Sequence, residues 1–172
     1  MSGKKNDSNS TRMLVVLALL IEIEVILNRF LSINAWNIKI GLSFIPVVIA
    51  AILFGPIQGA LVGGLGDLIG AILFPIGAYF PGFTVTAALM GLVFGLFLRK
   101  DQKISGIIGS VLINQLILGL IVNTYWISGL YGSPYKPLFM TRMVQAGILT
   151  VVQIVVIYGI VRILPKLKEY IR

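Results

Sequence analysis

Five ionisable residues lie within the apolar stretches of this chain: Glu22, Glu24, Arg29, Asp67 and Arg142. Side chains of these types could bind a charged or polar ligand. If those stretches cross a membrane, a charge costs about 2.5–3.5 kcal/mol at the centre, so such residues are candidates for a functional site. Asp67 has no basic residue within four positions on either side. Its partner must therefore come from another helix, from water or from a ligand.

The first apolar stretch places its charges on two helical faces. Glu22 and Arg29 are two helical turns apart and share a face with Ala18, whereas Glu24 and Asn28 are four residues apart on a different face. Two interpretations of the first face remain open. Glu22 and Arg29 either form a charge pair inside a helix bundle or act on a ligand.

The composition places these residues in a membrane protein. Of the 172 residues, 58% are hydrophobic and 12% charged, against about 45–50% and about 25% in soluble domains. The chain has no Cys and no His, which removes thiolates, the commonest metal ligand and the commonest acid–base group. A G-x-x-x-x-G-K-[ST] phosphate loop is also absent. We therefore expect one domain with no enzyme activity, no metal and no cofactor.

Apolar length sets the number of membrane crossings, because about 30 Å of hydrocarbon takes about 20 apolar residues. The stretch 39–74 is too long for one crossing, and Gly55 and Pro56 lie near its middle. Pro is disfavoured inside a helix but tolerated at its first position, so the stretch splits there. The sequence predicts an all-α integral membrane protein with a disordered leader (1–11), a basic tail (165–172) and six transmembrane helices, at about 12–32, 39–54, 56–74, 83–98, 104–126 and 138–164.

The basic residues predict the orientation, because cytoplasmic loops concentrate Lys and Arg. With both termini in the cytoplasm, the outer side holds only four of the 14 basic residues: Arg29, Lys39, Lys136 and Arg142. Topology and contact with the lipid bilayer then explain the net charge of +8. We do not expect nucleic acid as a partner.

Small residues repeat at helical spacing along the third span. Gly55, Gly59 and Gly63 are four residues apart, which leaves one helix surface nearly bare of side chains. In a membrane such surfaces let helices approach closely. The surface packs inside the bundle, which we favour, or receives a partner subunit, or does both.

Aromatic residues mark the three outer connections, while the two inner turns have none. Rings at a membrane interface often form only an anchoring belt. Here the rings occur on one side only, with Gly and Pro in two of the three connections, which indicates a cavity that opens outward and takes a flat ligand bearing carboxylates. The four outer basic residues surround this cavity, and its predicted aromatic lining is Trp36, Tyr79, Phe80, Tyr125, Trp126, Tyr131 and Tyr135.

Two runs resemble a known family of transport proteins. The run from Phe44 to Gly70, FIPVVIAAILFGPIQGALVGGLGDLIG, resembles the second and third helices of S components of energy-coupling factor (ECF) vitamin transporters. The run from Tyr79 to Lys100, YFPGFTVTAALMGLVFGLFLRK, resembles the folate-specific members. The similarity extends from about residue 12 to the C-terminus.

The resemblance implies a multi-pass protein of a bacterial cell membrane that captures folate outside. It would dock on a transmembrane coupling protein with two cytoplasmic ATPases, and topple in the membrane to release its ligand. Docking in the family often uses an Ala-x-x-x-Ala motif on the first helix, and here Ala18 is present but Glu22 takes the second site. The predicted docking residues are Ala18, Gly55, Gly59 and Gly63.

The parts of folate can be matched to residues of the chain. Its pterin offers a pair of N–H donors that one carboxylate accepts, for which Asp67 is the candidate. Its glutamate tail carries two carboxylates, for which Arg29, Arg142 and Lys136 are candidates. The candidates for stacking are Trp36, Tyr79, Phe80 and Tyr125, those for the pterin edges are Asn114 and Gln145, and the loops 33–38 and 75–82 are candidate gates.

Two alternatives stay open at this point. One is an S component for another flat vitamin or nucleobase-like compound, which would share the fold and differ in its lining residues. The other is a small membrane enzyme or assembly factor without a transported ligand.

Overall fold

A computed structural model gives the structure of the chain and describes residues 3–35, 38–100 and 102–171. This part folds into six helical segments and one antiparallel hairpin, so the predicted helical class is confirmed. The elements in chain order are α1 (Gly3–Arg29), β1 (Ile33–Ala35), β2 (Ile38–Ile40), α2 (Phe44–Leu53), α3 (Pro56–Leu73), α4 (Pro81–Leu98), α5 (Ile104–Leu112), a π-helical segment (Ile113–Val122), α6 (Asn123–Tyr131) and α7 (Tyr135–Ile171).

Four helical stretches of the described chain are long and apolar enough to cross a membrane: Pro56–Leu73, Pro81–Leu98, Ile104–Tyr131 and Tyr135–Leu164. The remaining two helices are α1, which is interrupted by charged residues, and α2, which is apolar but has only 10 residues. At 1.5 Å per residue, α2 is about 15 Å long, or half of the hydrocarbon thickness.

The second predicted span, 39–54, begins too early. Residues 38–40 form strand β2, which pairs with β1 in the register Ile33↔Ile40, and helix begins only at Phe44. The β-branched Ile residues suit strands as well as an apolar span. Gly41 packs closely on Ser32, and a side chain at position 41 would collide with Ser32. This connection therefore turns sharply before α2 instead of entering the membrane as helix.

Several helix ends differ from the predicted ones. The turn between α2 and α3 is where we predicted it, with Gly55 at φ +121° and Pro56 at the first helical position. However, α1 begins at Gly3, inside the leader that we predicted to be disordered, and α7 continues to Ile171 through the basic tail. Once an apolar helix has formed, each further residue adds one hydrogen bond at little cost, which favours such extensions.

The fifth predicted span is longer and less regular than expected. It runs without a break from Ile104 to Tyr131 and ends at Gly132, which has φ +63°. Its middle, Ile113–Val122, is π-helical. π-helical turns are rare and occur often at functional sites.

The glycine surface of α3 packs inside the bundle. A Cβ on Gly59 would strike the Gly91 carbonyl and Ala51, and a Cβ on Gly63 would strike the Ala87 carbonyl. The backbones of α3 and α4 are therefore in contact, as small residues allow in membranes. Because α2 and α4 cover Gly59 and Gly63, the structure contains the internal packing that we favoured for this surface. Gly55 is buried too, beside Arg99.

Candidate functional site

A cavity of about 390 Å³ lies between α1, β2, α2, α3, α4, the π-helical segment, α6 and α7. Ligand pockets usually measure about 300–1,000 Å³. Apolar side chains cover part of its wall, among them Phe44, Phe83, Met90, Phe94 and Leu120. The polar lining consists of Glu24, Asn28, Arg29, Lys39, Ser43, Asp67, Tyr79, Gln115, Asn123, Arg142, Gln145 and Gln153. The walls thus suit a ligand with apolar faces and several polar groups.

A chain of hydrogen bonds connects three helices, α1, α3 and α4, and the loop before α4 at the cavity wall. Nη2 of Arg29 lies 3.5 Å from Oδ1 of Asp67 and donates to its carbonyl oxygen over 3.1 Å. The Thr84 hydroxyl donates to Oδ2 of Asp67 over 2.8 Å and lies 3.3 Å from the Tyr79 hydroxyl. Because the Thr84 proton goes to Asp67, Tyr79 is the donor to Thr84. Both Asp67 carboxylate oxygens are therefore occupied within the chain.

The partner of Arg29 is Asp67 and not Glu22. Arg29 is largely buried, whereas Glu22 is exposed on the side of α1 that faces away from the bundle, so the structure does not contain the pair between Glu22 and Arg29 that the sequence left open. The spacing on one helix allowed that pair, but the packing of α3 against α1 brings a closer acid. Of the three possible partners of Asp67, namely another helix, water or a ligand, the structure contains the first, because Arg29 lies on α1.

Glu24 is the second acid of the cavity, and the sequence analysis did not include it among the binding residues. It is 4% exposed, and its Oε1 accepts a hydrogen bond of 2.8 Å from Asn28 Nδ2. Its Oε2 is buried and has no partner among the described residues. The spacing of four between Glu24 and Asn28 was the available signal, because it places both on one face.

In the described part of the chain, three basic residues line the cavity: Arg29, Lys39 and Arg142. Nη2 of Arg142 donates to the Gly119 carbonyl over 3.1 Å, which ties α7 to the π-helical segment. Nε2 of Gln145 donates to the Lys39 carbonyl over 2.6 Å, which ties α7 to the hairpin. Burial, together with the nearby Arg29 charge, lowers the pKa of Lys39 to about 8.

The structure places half of the predicted binding residues on this cavity: Arg29, Asp67, Tyr79, Arg142 and Gln145. Trp36 lies outside the described residues. The other four do not line the cavity: Phe80, Asn114, Tyr125 and Lys136. Lys136 and Tyr125 are exposed, and Asn114 is buried with its amide donating to the Met90 carbonyl over 3.1 Å.

The predicted aromatic wall is mostly a cluster beside the cavity. The Phe80 ring packs on Trp126 with centroids 5.2 Å apart, and Tyr125 lies 5.4 Å from the same indole. Tyr131 and Tyr135 are exposed. Among the described residues, the rings that line the cavity are Phe44, Tyr79, Phe83 and Phe94. Aromatic residues near helix ends could be recognised from sequence, but their direction depends on helix rotation.

Polar residues at helical spacing on α7 are a sequence signal for this cavity. Arg142, Gln145 and Gln153 all line the cavity, and spacings of three and eight place them on one face of the otherwise apolar α7. Gln115 and Asn123 do the same from the neighbouring segment. Oε1 of Gln145, Oε1 of Gln153 and Oδ1 of Asn123 are buried without a partner in the described part of the chain. Such acceptors are available to a ligand or to water.

A family model and curated relatives match most of the chain. The model described as "ECF-type riboflavin transporter, S component" matches residues 8–169. The folate transporter FolT of Clostridium novyi (strain NT) is 36% identical over 156 residues, which cover 90% of this chain and 91% of that protein. FolT of Leuconostoc mesenteroides subsp. mesenteroides is 28% identical over 158 residues, covering 86% and 83% respectively.

Solved structures with the same fold include two S components. A crystal structure of FolT bound with folic acid superposes with a TM-score of 0.83 at 27% identity, covering 87% of this chain and 92% of that one. An S component for biotin from an ECF-type ABC transporter has a TM-score of 0.64 at 19% identity, covering 94% and 95%, and so supports the fold alone.

Proposed function

The chain belongs to the S components of ECF-type transporters, and from this membership we propose that it captures folate at the outer face of the membrane and delivers it to an energy-coupling module. S components are multi-pass subunits of importers in the bacterial cell membrane. The chain is therefore a transport protein and not an enzyme. This excludes the enzyme alternative that the sequence left open.

The observation that carries the proposal is that acids and bases line one elongated cavity. Arg142 and Gln153 both line it and are eleven residues apart on α7, so the cavity extends about 16 Å along that helix. Folate is an elongated molecule with a pterin rich in donors at one end and a glutamate with two carboxylates at the other. A ligand of this kind needs carboxylate acceptors at one end of its site and cations at the other.

The orientation of the ligand follows from where those charges lie. Lys39 and Arg142 come from the hairpin and from the start of α7, which the bond between Gln145 and Lys39 joins at the outer end of the bundle. Glu24 lies five residues, or about 7.5 Å, before the outer end of α1 at Arg29. We propose that the pterin enters first toward Glu24, and that the tail carboxylates remain with Lys39 and Arg142.

Two relatives support folate, because both are named folate transporters. A second candidate is riboflavin, which the description of the matching family model favours. Riboflavin is also flat and fits the same size class, but it carries no carboxylate. The cations that line the cavity would then have no partner on the ligand, and this favours folate.

Delivery requires energy from partner subunits, because the chain lacks a phosphate loop. We propose docking on a transmembrane coupling protein that is joined to two cytoplasmic ATPases. Of the predicted docking residues, Gly55, Gly59 and Gly63 are buried and Ala18 is exposed, so we place the docking surface on the side of α1 that faces away from the bundle. Ala18 is exposed on that face, next to Leu14 and Leu19.

Uptake by cells tests the whole proposal. In cells without their own folate uptake, labelled folate should accumulate only when this chain and a coupling module are expressed together. Excess unlabelled folate should abolish the signal, whereas excess riboflavin should not. Riboflavin accumulation in place of folate would establish the second candidate, and accumulation without the module would refute dependence on partner ATPases.

A further inference from the structure

The strongest unexplained feature of the cavity is the free oxygen of Glu24. The side chain is 4% exposed and lines the cavity, and Asn28 holds its Oε1. Oε2 is buried and accepts no hydrogen bond from the described residues. A buried polar atom without a partner is strongly unfavourable, so a donor is expected to reach it when the site is filled.

Asp67 does not offer the same opportunity. Thr84 donates to one of its oxygens and Arg29 lies 3.5 Å from the other, so both oxygens already have a partner within the chain and neither is left unsatisfied in the empty site. The Asp67 carboxylate therefore needs no ligand donor to satisfy it, unlike Oε2 of Glu24. Asp67 is therefore a positioning residue, which holds Arg29 at the cavity wall, and Glu24 is the acid with a vacant acceptor.

Resting on the proposed function, we propose that Glu24 selects ligands that present two adjacent N–H donors, as the 2-amino-4-oxo edge of a pterin does. The N3–H and 2-amino groups of that edge point in parallel and meet the two oxygens of one carboxylate. Each carboxylate oxygen accepts two hydrogen bonds, so Oε1 keeps its bond to Asn28 while it accepts one from the ligand.

The same acid disfavours the flavin ring. A flavin presents a single N3–H between two carbonyl groups, so at least one carbonyl oxygen would face the Glu24 carboxylate. Two acceptors in contact without a proton between them repel each other, and a site selects by such mismatches as much as by its favourable contacts. Glu24 thus accounts for a preference for pterins over flavins within one shared fold.

Gly66 provides the space that Glu24 needs. A Cβ at this position of α3 would collide with Oε2 of Glu24. The variant Gly66→Ala should therefore displace the carboxylate without removing it. A matched control is Gly159→Ala on α7, because nothing lies within 4 Å of a Cβ there.

A double-mutant-type cycle, which combines a change at Glu24 with removal of the ligand's 2-amino group, tests whether the two groups are in contact. The purified full-length chain in detergent is titrated calorimetrically with folate and with 2-desamino-folate, in which hydrogen replaces the 2-amino group. The wild type should lose at least about tenfold in affinity when the amino group is removed, as expected for a charge-assisted hydrogen bond. Glu24→Gln should bind folate at least about tenfold more weakly and show little further loss with the analogue. Glu22→Gln, two positions away and exposed, should behave as the wild type.

The outcomes separate this inference from the proposed function. One outcome is that the wild type binds folate, while removal of the 2-amino group from the ligand weakens binding to Glu24→Gln by the same factor as binding to the wild type. In that case Glu24 does not bind the amino group. If the wild type binds no folate at all, the proposed function fails instead. If Glu24→Gln does not fold, the decision falls to Gly66→Ala, which must lose the wild type's preference for folate over the analogue while Gly159→Ala retains it.

Discussion

Arg29 and Asp67 are joined across the bundle, with Nη2 of the guanidinium 3.5 Å from Oδ1 of the carboxylate. The two residues are 38 positions apart in sequence, and their contact connects the outer end of α1 to the middle of α3. Arg29 also donates to the Asp67 carbonyl, so it is held by two oxygens of one residue. This pair fixes a cation in the cavity wall without using a ligand.

Removing the acid of this pair should weaken folate binding. Asp67→Asn leaves Arg29 without its carboxylate, and losing a charge-assisted hydrogen bond costs about 1.5–3 kcal/mol, or roughly 10- to 100-fold in affinity. Because Asp67 acts through Arg29, folate and 2-desamino-folate should lose affinity by the same factor. Calorimetric titration of both ligands measures this. Unchanged folate affinity would remove Asp67 from the site, and a loss specific to the amino group would make it the pterin acceptor.

Arg142 should matter for the glutamate tail. Arg142→Gln removes a buried cation, and truncating one partner of a buried charge pair costs about 2–5 kcal/mol. Folate should therefore lose more than about 30-fold in affinity, whereas pteroate, which lacks the glutamate, should lose much less. Lys136→Gln is the control, since Lys136 is exposed and does not line the cavity. Equal losses for the two ligands would show that the tail lies elsewhere.

Folate affinity should depend on pH through Lys39. Burial lowers the pKa of Lys39 to about 8 in the empty protein, and bound carboxylates should raise it again. Affinity is then full below pH 8 and falls as the pH rises above it, because binding must first restore the proton. Titrations on both sides of this pH should show the fall for the wild type.

The control for Lys39 is Lys39→Gln, which cannot titrate. The ratio of the two affinities at each pH cancels any titration of folate itself. This ratio should fall with rising pH. A ratio that stays constant would show that Lys39 does not contact the tail.

The contact between α3 and α4 should tolerate no side chain. A Cβ at Gly91 would fall on the Gly59 carbonyl. Overpacking of this kind costs about 1–3 kcal/mol, so Gly91→Ala should lower the thermal unfolding midpoint measured in detergent. Gly159→Ala should leave it unchanged, because its Cβ meets nothing within 4 Å. Equal stability of the two variants would contradict the close packing of these helices.

Local signals in the sequence were sufficient for most of the fold. Gly55 and Pro56 located a turn that the structure contains, because each residue has one strongly preferred backbone role there. The hairpin before α2 was not predicted, since Ile33 and Ile40 suit an apolar span equally well. The π-helical segment was not predicted either, because its residues also suit an ordinary α-helix.

The site was predictable only where residues share one helix. Glu24 and Asn28 were correctly placed on one face, and the spacing of polar residues on α7 contained the same kind of signal. Contacts between helices follow a different rule. Whether Arg29 meets Glu22 or Asp67 depends on how α1 rotates against α3, and the spacing of residues along one helix does not determine this.

The most direct test of the account is an equilibrium titration of the purified chain, without ATP and without partner subunits. Trp126 is a suitable reporter, because its indole donates to Thr86 over 3.2 Å beside the cavity. We predict saturable binding of one folate per chain, which excess riboflavin does not displace. Saturable binding of riboflavin without binding of folate would contradict the account.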